Sequence, residues 1–238
     1  MNKKKMNKGE DTTPRNMVVA KHPHATASEQ FRILRTNITY SGVDHPIRSV
    51  LFTSAISGAG KSTVAANMAI AYAQAGIKTL LVDGDLRRPT THYTFEVSNR
   101  KGLSKAIIND VPPEEMVTKT EFDKLDLMTA GPIPPNPSEL LASKSMEALM
   151  KALAIQYEMI IIDSPPLLAV TDSQLLCKQA DGVVIITDVE NNDRNELLDA
   201  KDLLEKAGAN IIGVVLNNRE ERRGANEAYY YAEPVTES

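Results

Sequence analysis

The chain has 238 residues and a formal net charge of -4, with 42% hydrophobic and 24% charged residues, the balance of an ordinary globular protein. Such a charge offers no basic face for nucleic acid, the apolar runs are too short to cross a bilayer, and the lysines at the amino end lead into polar sequence rather than the apolar core of a signal peptide. A single cysteine, Cys177, excludes an internal disulfide and fits a reducing compartment.

Residues 1–25 carry six Lys or Arg against two acids and read as a basic, solvated, flexible tail, with weak attraction to anionic lipid as the lesser reading. From about Ser28 the apolar residues Phe31, Leu34 and Ile38 recur at helical spacing until Gly42 and Pro46 stop the helix. Residues 49–54 read as a short buried strand. A glycine loop follows, then a helix over 61–75 with Val64, Met68 and Tyr72 on one face and Gly76 at its left-handed stop. A second apolar strand, 79–82, ends in Asp83-Gly84-Asp85. Further on, the pattern predicts a short helix over 103–108, a strand over 125–128 and a rigid proline loop over 131–137. A helix over 138–155, strands at 159–162 and 183–186, a helix over 193–207 and a strand at 211–216 complete the order. Continuous Val/Ile/Leu strands alternating with helices imply an α/β fold: a mainly parallel sheet with helices on both faces.

The aromatic residues are oddly placed. Only 5% of the chain is aromatic, with no Trp, yet three of the seven tyrosines, Tyr229, Tyr230 and Tyr231, stand together near the end. The expected organisation is a tail over 1–25, one domain over 26–217 and a flexible tail over 218–238.

Three motifs carry the chemistry. Ser54-Ala55-Ile56-Ser57-Gly58-Ala59-Gly60-Lys61-Ser62-Thr63 fits the phosphate loop G-x-x-x-x-G-K-[ST], with Ala55 in place of the first glycine. In such a loop, residues 57–63 surround the β-phosphate with backbone N–H groups at a helix amino end. Lys61 reaches the β/γ-phosphates and the Ser62 hydroxyl binds Mg²⁺. The second motif is Asp83-Gly84-Asp85 at the carboxyl end of its strand, where open α/β sheets bind ligands. Two carboxylates this close repel unless a cation or proton separates them. The third is Asp163, closing the triple-Ile strand before Pro165 and Pro166, which suits a Walker B aspartate near Mg²⁺. Together they point to a P-loop NTPase-like domain that hydrolyses or transfers a nucleotide phosphate.

The loop, the D-x-D-x-R segment Asp83–Arg87 and the I-I-I-D-S-P-P strand together resemble the bacterial tyrosine kinases. The likeness includes Glu29-Gln-Phe-Arg32-Ile-Leu-Arg35, which matches that family's E-x-x-R-x-x-R segment, and the terminal tyrosines. It is nearest to the Firmicute type, in which the kinase is a separate cytoplasmic chain. The resemblance implies ATP and Mg²⁺ as cofactors, with Lys61, Asp83 and Asp85 catalytic, Asp83 accepting the tyrosine proton, and Ser62, Asp85 and Asp163 around the metal. It also implies adenine contact at Asn217, autophosphorylation at Tyr229, Tyr230 and Tyr231, and an octameric ring joined through Glu29, Arg32 and Arg35. Pattern alone makes those last three a solvated helix face. The implied partners are a transmembrane adaptor that brings the chain to the inner face of the cell membrane, protein-tyrosine substrates and a phosphotyrosine phosphatase. The implied setting is capsule or exopolysaccharide production. Two other readings share the fold. Partitioning and septum-positioning ATPases carry a signature lysine where this chain has Ile56, and an iron–sulfur carrier needs a C-x-x-C pair that one cysteine cannot supply.

Overall fold

The computed structural model describes residues 14–42, 46–109, 111–191 and 193–218. The apolar strand runs form β1 (Ser49–Ser54), β2 (Thr79–Asp83), β3 (Thr118–Lys119), β4 (Leu125–Met128), β5 (Met159–Asp163), β6 (Gly182–Asp188) and β7 (Ile211–Asn217). They make one sheet in the order β3-β4-β2-β5-β1-β6-β7. Every neighbouring pair is parallel except β3 with β4, which is antiparallel at one edge.

Parallel strands require crossovers, and helices supply them. They are α1 (Val18–Lys21), α2 (Thr26–Ser41), α3 (Lys61–Gln74), α4 (Thr91–Thr94), α5 (Leu103–Asn109), α6 (Pro113–Met116), α7 (Pro137–Leu141), α8 (Lys144–Gln156), α9 (Asp172–Leu176) and α10 (Arg194–Lys206), with a 3-10 turn at Cys177–Gln179. Side chains alternate across each strand, so the sheet builds a core on both faces. Val50, Phe52, Leu81, Ile161 and Val184 pack with α1, α2 and α3, whereas Leu51, Leu80, Val82, Ile160 and Ile185 pack with α5 and α7 to α10. In α3 every residue from Val64 to Ala73 is buried. Its alanines allow the sheet to approach on one side and α1 and α2 on the other.

Two expectations need correction. The single helix over 138–155 is two helices, α7 and α8. Ser143 between them has extended backbone, and its hydroxyl accepts the Met146 N–H at 3.2 Å as an N-cap. The apolar period continues through the break and hid it. Residues 14–25, expected within a solvated tail, include α1, whose Val19 is fully buried against α3. Cys177 is buried, as a small apolar side chain would be. Among the described residues, no helix is long and apolar enough to cross a membrane.

The sheet order places β2, β5 and β1 side by side, with Asp83 and Asp163 directly opposite each other in register. Each lies two residues beyond a side chain of the α3 face, Leu81 and Ile161. Both therefore point toward the amino end of α3.

Candidate active site

β1 runs into the glycine loop, and the loop runs into α3. Gly60 has a left-handed backbone, with φ of 88°, and a Cβ there would stand 2.2 Å from the Asn217 Nδ2. Glycine is required twice over. Ala55, by contrast, is buried in the core and has no left-handed backbone, which is why alanine serves at the first position of this loop. Ser57 and Gly58 are exposed at the loop tip and Ala59 is buried. Asn217, at the end of β7, donates from Nδ2 to the Ala59 carbonyl at 3.0 Å. It thus ties the edge strand to the phosphate loop.

The catalytic candidates converge. The Lys61 ammonium donates to the Ser62 hydroxyl at 3.1 Å and stands 3.7 Å from Asp163 Oδ1. That Oδ1 is buried and accepts no hydrogen bond, an expensive state for a carboxylate oxygen unless a charge or ligand answers it. Asp83 is also fully buried. Its Oδ2 accepts from the Thr90 N–H (3.2 Å), the Thr91 N–H (3.1 Å) and the Thr91 hydroxyl (2.5 Å), while its Oδ1 accepts only the Asp85 N–H, at 3.2 Å. Asp85 in turn accepts the Arg87 and Arg88 N–H groups on Oδ1, at 3.2 and 2.9 Å. The glycine between the two aspartates is sterically dictated. Its N–H donates to the Asp163 carbonyl at 2.8 Å, and a Cβ on Gly84 would stand 2.8 Å from that same oxygen and from Leu176.

Three carboxyls in this space repel. Burial first, and then the Asp163 charge, pushes Asp83 up to about 7 against the opposing Thr91 hydrogen bond, with Asp85 adding to the rise. Asp163 is raised too, by burial, against the pull of Lys61 and the Ser62 hydroxyl. Among the described residues, no three acidic, His or Cys side chains are grouped so as to hold a metal ion by themselves. A small hard cation such as Mg²⁺ fits a different arrangement: a few protein oxygens, completed by water and the phosphates of a nucleotide.

One clamp escaped the sequence reading. Arg87 donates from Nε and Nη2 to the two oxygens of fully buried Asp172 at 2.8 and 3.0 Å, and from Nη2 to the Ser138 hydroxyl at 2.9 Å. It pins the Asp83–Asp85 loop to α9 and α7. The D-x-D-x-R spacing marked Arg87, but Asp172 lies 85 residues away and has no local signal. Thr91, which holds Asp83, is close in sequence, but the single turn of α4 that carries it is too short to show a period.

Glu29, Arg32 and Arg35 lie on α2, away from these carboxyls. Arg32 pairs with Glu29 at 2.8 Å and donates to the Pro23 carbonyl at 2.6 Å. Arg35 donates to the Ala71 carbonyl at 2.7 Å in the last turn of α3. Tyr229, Tyr230 and Tyr231 lie outside the described residues. Concavities of about 510 and 660 Å³ open at the other end of the sheet, around Phe122 and Met150, and touch none of the site residues.

A parallel sheet whose first strand feeds a lysine-bearing glycine loop and a helix, with aspartates closing β5 beside it and β2 beyond, defines a P-loop nucleotide-binding domain. A family model described as an AAA domain matches residues 48–199. The chain is 44% identical over 211 residues to the putative tyrosine-protein kinase CapB of Staphylococcus aureus, covering 89% of this chain and 92% of that one. It is 40% identical over 216 residues to the tyrosine-protein kinase YwqD of Bacillus subtilis (strain 168), covering 91% of each. The solved chimerical protein CapA2B2 superposes with a TM-score of 0.83 at 44% identity, over 87% of this chain and 93% of that one. The chain belongs to the bacterial tyrosine-protein kinase family. The septum site-determining protein MinD of Pyrococcus horikoshii, at 24% identity and a TM-score of 0.62 over 76% of this chain and 75% of that one, shares the fold alone. The likeness is therefore closer to the kinases than to the switch ATPases.

Proposed function

We propose that this chain is an ATP-dependent protein-tyrosine kinase that phosphorylates its own Tyr229, Tyr230 and Tyr231 and tyrosines of other proteins. The observation that carries this reading is the meeting of the phosphate loop with buried Asp83 and Asp163 at adjoining strand ends. Lys61 and the N–H groups of residues 57–63 hold the ATP phosphates, and Asn217 leaves Ala59 to meet the adenine. Ser62, Asp85 and Asp163 hold Mg²⁺, and the orphaned Asp163 Oδ1 supports this assignment. The bound cation supplies charge neutralisation at the phosphates.

The acceptor chemistry follows from Asp83. Its Oδ2 is saturated by Thr90 and Thr91, which leaves Oδ1 to take the phenolic proton. A carboxyl near 7 is matched to that task at neutral pH. The tyrosine oxygen bonds to the γ-phosphorus, the bond from that phosphorus to the bridging oxygen breaks, ADP departs, and Asp83 keeps the proton. Because free tyrosine ionises only near 10, alignment and charge neutralisation supply most of the rate.

The chain works as a cytoplasmic kinase domain in which α1 packs on α3 together with residues 26–217, with the tyrosine-bearing residues 218–238 entering the site of a neighbouring copy. Head-to-tail contacts through Glu29, Arg32 and Arg35 close the octameric ring. A transmembrane adaptor brings the chain to the inner face of the cell membrane, and the chimerical nature of CapA2B2 supports a two-protein arrangement. A phosphotyrosine phosphatase resets the tyrosines, and the cycle serves capsule or exopolysaccharide production. The test is incubation with Mg²⁺–ATP and the adaptor's cytoplasmic tail, read by intact mass. Addition of phosphate to the wild type and none to Lys61→Ala is expected; ATP hydrolysis without phosphotyrosine would overturn the kinase reading.

A further inference from the structure

At the end of the sheet away from the phosphate loop, the cavity of about 660 Å³ around Met150 lies between α8 and the 3-10 turn that follows α9, over the amino ends of β1 and β5. That volume falls within the range of about 300–1,000 Å³ that ligand pockets occupy. Part of its lining is apolar, including Met150, Ala154 and Leu175, and it carries four cations, Arg48, Lys144, Lys151 and Lys178, against two acids, Glu147 and Asp181. Both acids are already engaged. Asp181 Oδ2 accepts the Arg48 and Ser49 N–H groups at 2.9 Å each, and Glu147 pairs with Lys151 at 2.5 Å, one turn along α8. Lys144 and Lys178 are exposed and form no ion pair among the described residues. The Arg48 guanidinium is fixed at the cavity wall through Nη2, which donates to the Ala154 and Tyr157 carbonyls at 3.1 Å each.

The cavity around Phe122 is different. There Lys78, Lys119 and Lys124 are matched by Glu121, Asp123 and Asp126, and Lys119 is bonded to Asp126 at 2.7 Å. The Met150 cavity instead keeps a surplus of positive charge over an apolar floor. Its complement is an anion that also brings apolar surface, and the chain contains one. Residues 227–238 carry Glu227, Glu233 and Glu237 and no Lys or Arg, with Tyr229, Tyr230 and Tyr231 among them. Each phosphate on a tyrosine adds about −1.5 to −2 charge and three acceptor oxygens, and the ring beneath it packs on apolar side chains. The length of chain also suffices. The last described residue, Asn218, follows the carboxyl end of β7. From there the cavity lies about 25 Å away along the sheet, one seven-residue strand down and two strands across. Residues 219–228 span up to about 36 Å, so one copy can reach its own cavity.

We propose that the Met150 cavity is a docking site for this chain's own residues 227–238 in their tyrosine-phosphorylated form, with phosphate oxygens on Arg48, Lys144 and Lys178 and a tyrosine ring against Ala154 and Leu175. Clusters of Arg and Lys are a general means of holding phosphorylated segments, and each contact is a charge-assisted hydrogen bond. A bilayer surface would also attract exposed cations, but a flat sheet of headgroups does not fill a cavity with an apolar floor, which favours the peptide. The inference rests on the kinase reading for the source of the phosphate. It adds where the modified tyrosines go: to the end of the sheet opposite Lys61, out of the phosphate-transfer site.

The test uses the full chain with Tyr229, Tyr230 and Tyr231 replaced by Phe, so that its own residues carry no phosphate into the cavity. The probe is a synthetic, fluorescein-labelled peptide of residues 224–238, read by fluorescence anisotropy. The triply phosphorylated peptide is expected to bind about tenfold or more tightly than the unmodified one, and Lys144→Glu with Lys178→Glu to remove that difference. Lys124→Glu, at the Phe122 cavity, is expected to change neither affinity. Both lysines of the double variant are exposed, so its melting temperature stays near wild type; Lys144→Ala with Lys178→Ala repeats the comparison with a smaller loss in the same direction. Equal affinity for the two peptides would overturn the proposal, as would undiminished binding in both double variants. An equal loss in Lys124→Glu would overturn it because net charge alone would then decide, and a loss in Lys61→Ala would because the peptide would then sit at the phosphate loop. Binding of phosphatidylglycerol vesicles that depends on Lys144 and Lys178 and is not displaced by the phosphopeptide would assign the cations to a membrane instead. Because the peptide is synthetic, a chain that forms no phosphotyrosine refutes the kinase reading and leaves this measurement standing. One that phosphorylates its tyrosines but does not prefer the phosphopeptide refutes the docking alone.

Discussion

Asp83, proposed above as the proton acceptor, is buried beside a second carboxyl whose oxygen lacks a hydrogen bond. The cost is visible as a pH dependence. Its folded-state carboxyl is pushed from an ordinary 3.8 up to about 7, by burial and then by Asp163. Between those values folding takes up a proton, so stability falls as pH rises through the window, and the loss is complete above the upper value. The nucleotide-free chain should therefore melt at a lower temperature at pH 8 than at pH 6, with a shallower slope in Asp83→Asn. Identical slopes would remove Asp83 as the cause. Gly84 tests the same packing sterically. Gly84→Ala forces a methyl to within 2.8 Å of the Asp163 carbonyl, and such overpacking costs about 1–3 kcal/mol. Calorimetric unfolding should show it together with weaker Mg²⁺–nucleotide binding. Retained stability and binding would mean that the two strand ends have room to part. The sequence exposed these aspartates because they end apolar strands. It did not expose Thr91 or Asp172, because a hydrogen-bond partner brought in by the fold leaves no periodic signal.

Secondary-structure elements hold the site through their ends. Arg35 meets the Ala71 carbonyl where α3 runs out of internal donors. Arg35→Ala should therefore destabilise the isolated chain by about 1 kcal/mol through loss of a cation at a helix carboxyl end. That effect would confuse any test of the proposed ring based on Arg35. Arg32, on the exposed face with Glu29, gives a cleaner probe: Arg32→Ala should leave the melting temperature near wild type and lower the mass of the assembly seen by light scattering. An unchanged oligomer would remove Arg32 from the interface. The Arg87 clamp acts at the same scale. Arg87→Ala leaves buried Asp172 with the Ser138 hydroxyl, a loss of about 2–3 kcal/mol that denaturant unfolding should record. An unchanged midpoint would show that water replaces the guanidinium. The six parallel strands and the long helices α2, α3 and α10 were legible because each presents several apolar residues at one period; β3, only Thr118 and Lys119, has none and was missed. α1, α4 and α9 have only four or five residues each, too few to show a period, and α1 is recognisable only once Asn67 of α3 is seen to accept the Val19 N–H, at 3.0 Å.

At the scale of the whole molecule, alternating strands and helices were enough for the parallel sheet, because apolar β strands with helical crossovers have few other ways to be buried. The order of the strands was not legible, and that order creates the site. β5 comes late in sequence but inserts between β1 and β2, bringing Asp163 against both Lys61 and Asp83. Fold and family therefore agree on a phosphate-transfer centre of the tyrosine-kinase type, and the proposal turns on what receives the phosphoryl group. The most direct measurement is tandem mass spectrometry of the full chain after incubation with Mg²⁺–ATP and the adaptor's cytoplasmic tail. The expected result is phosphate on Tyr229, Tyr230 and Tyr231, absent from Lys61→Ala and largely lost when the three tyrosines are replaced by Phe. Consumption of ATP with those tyrosines unmodified would contradict the account.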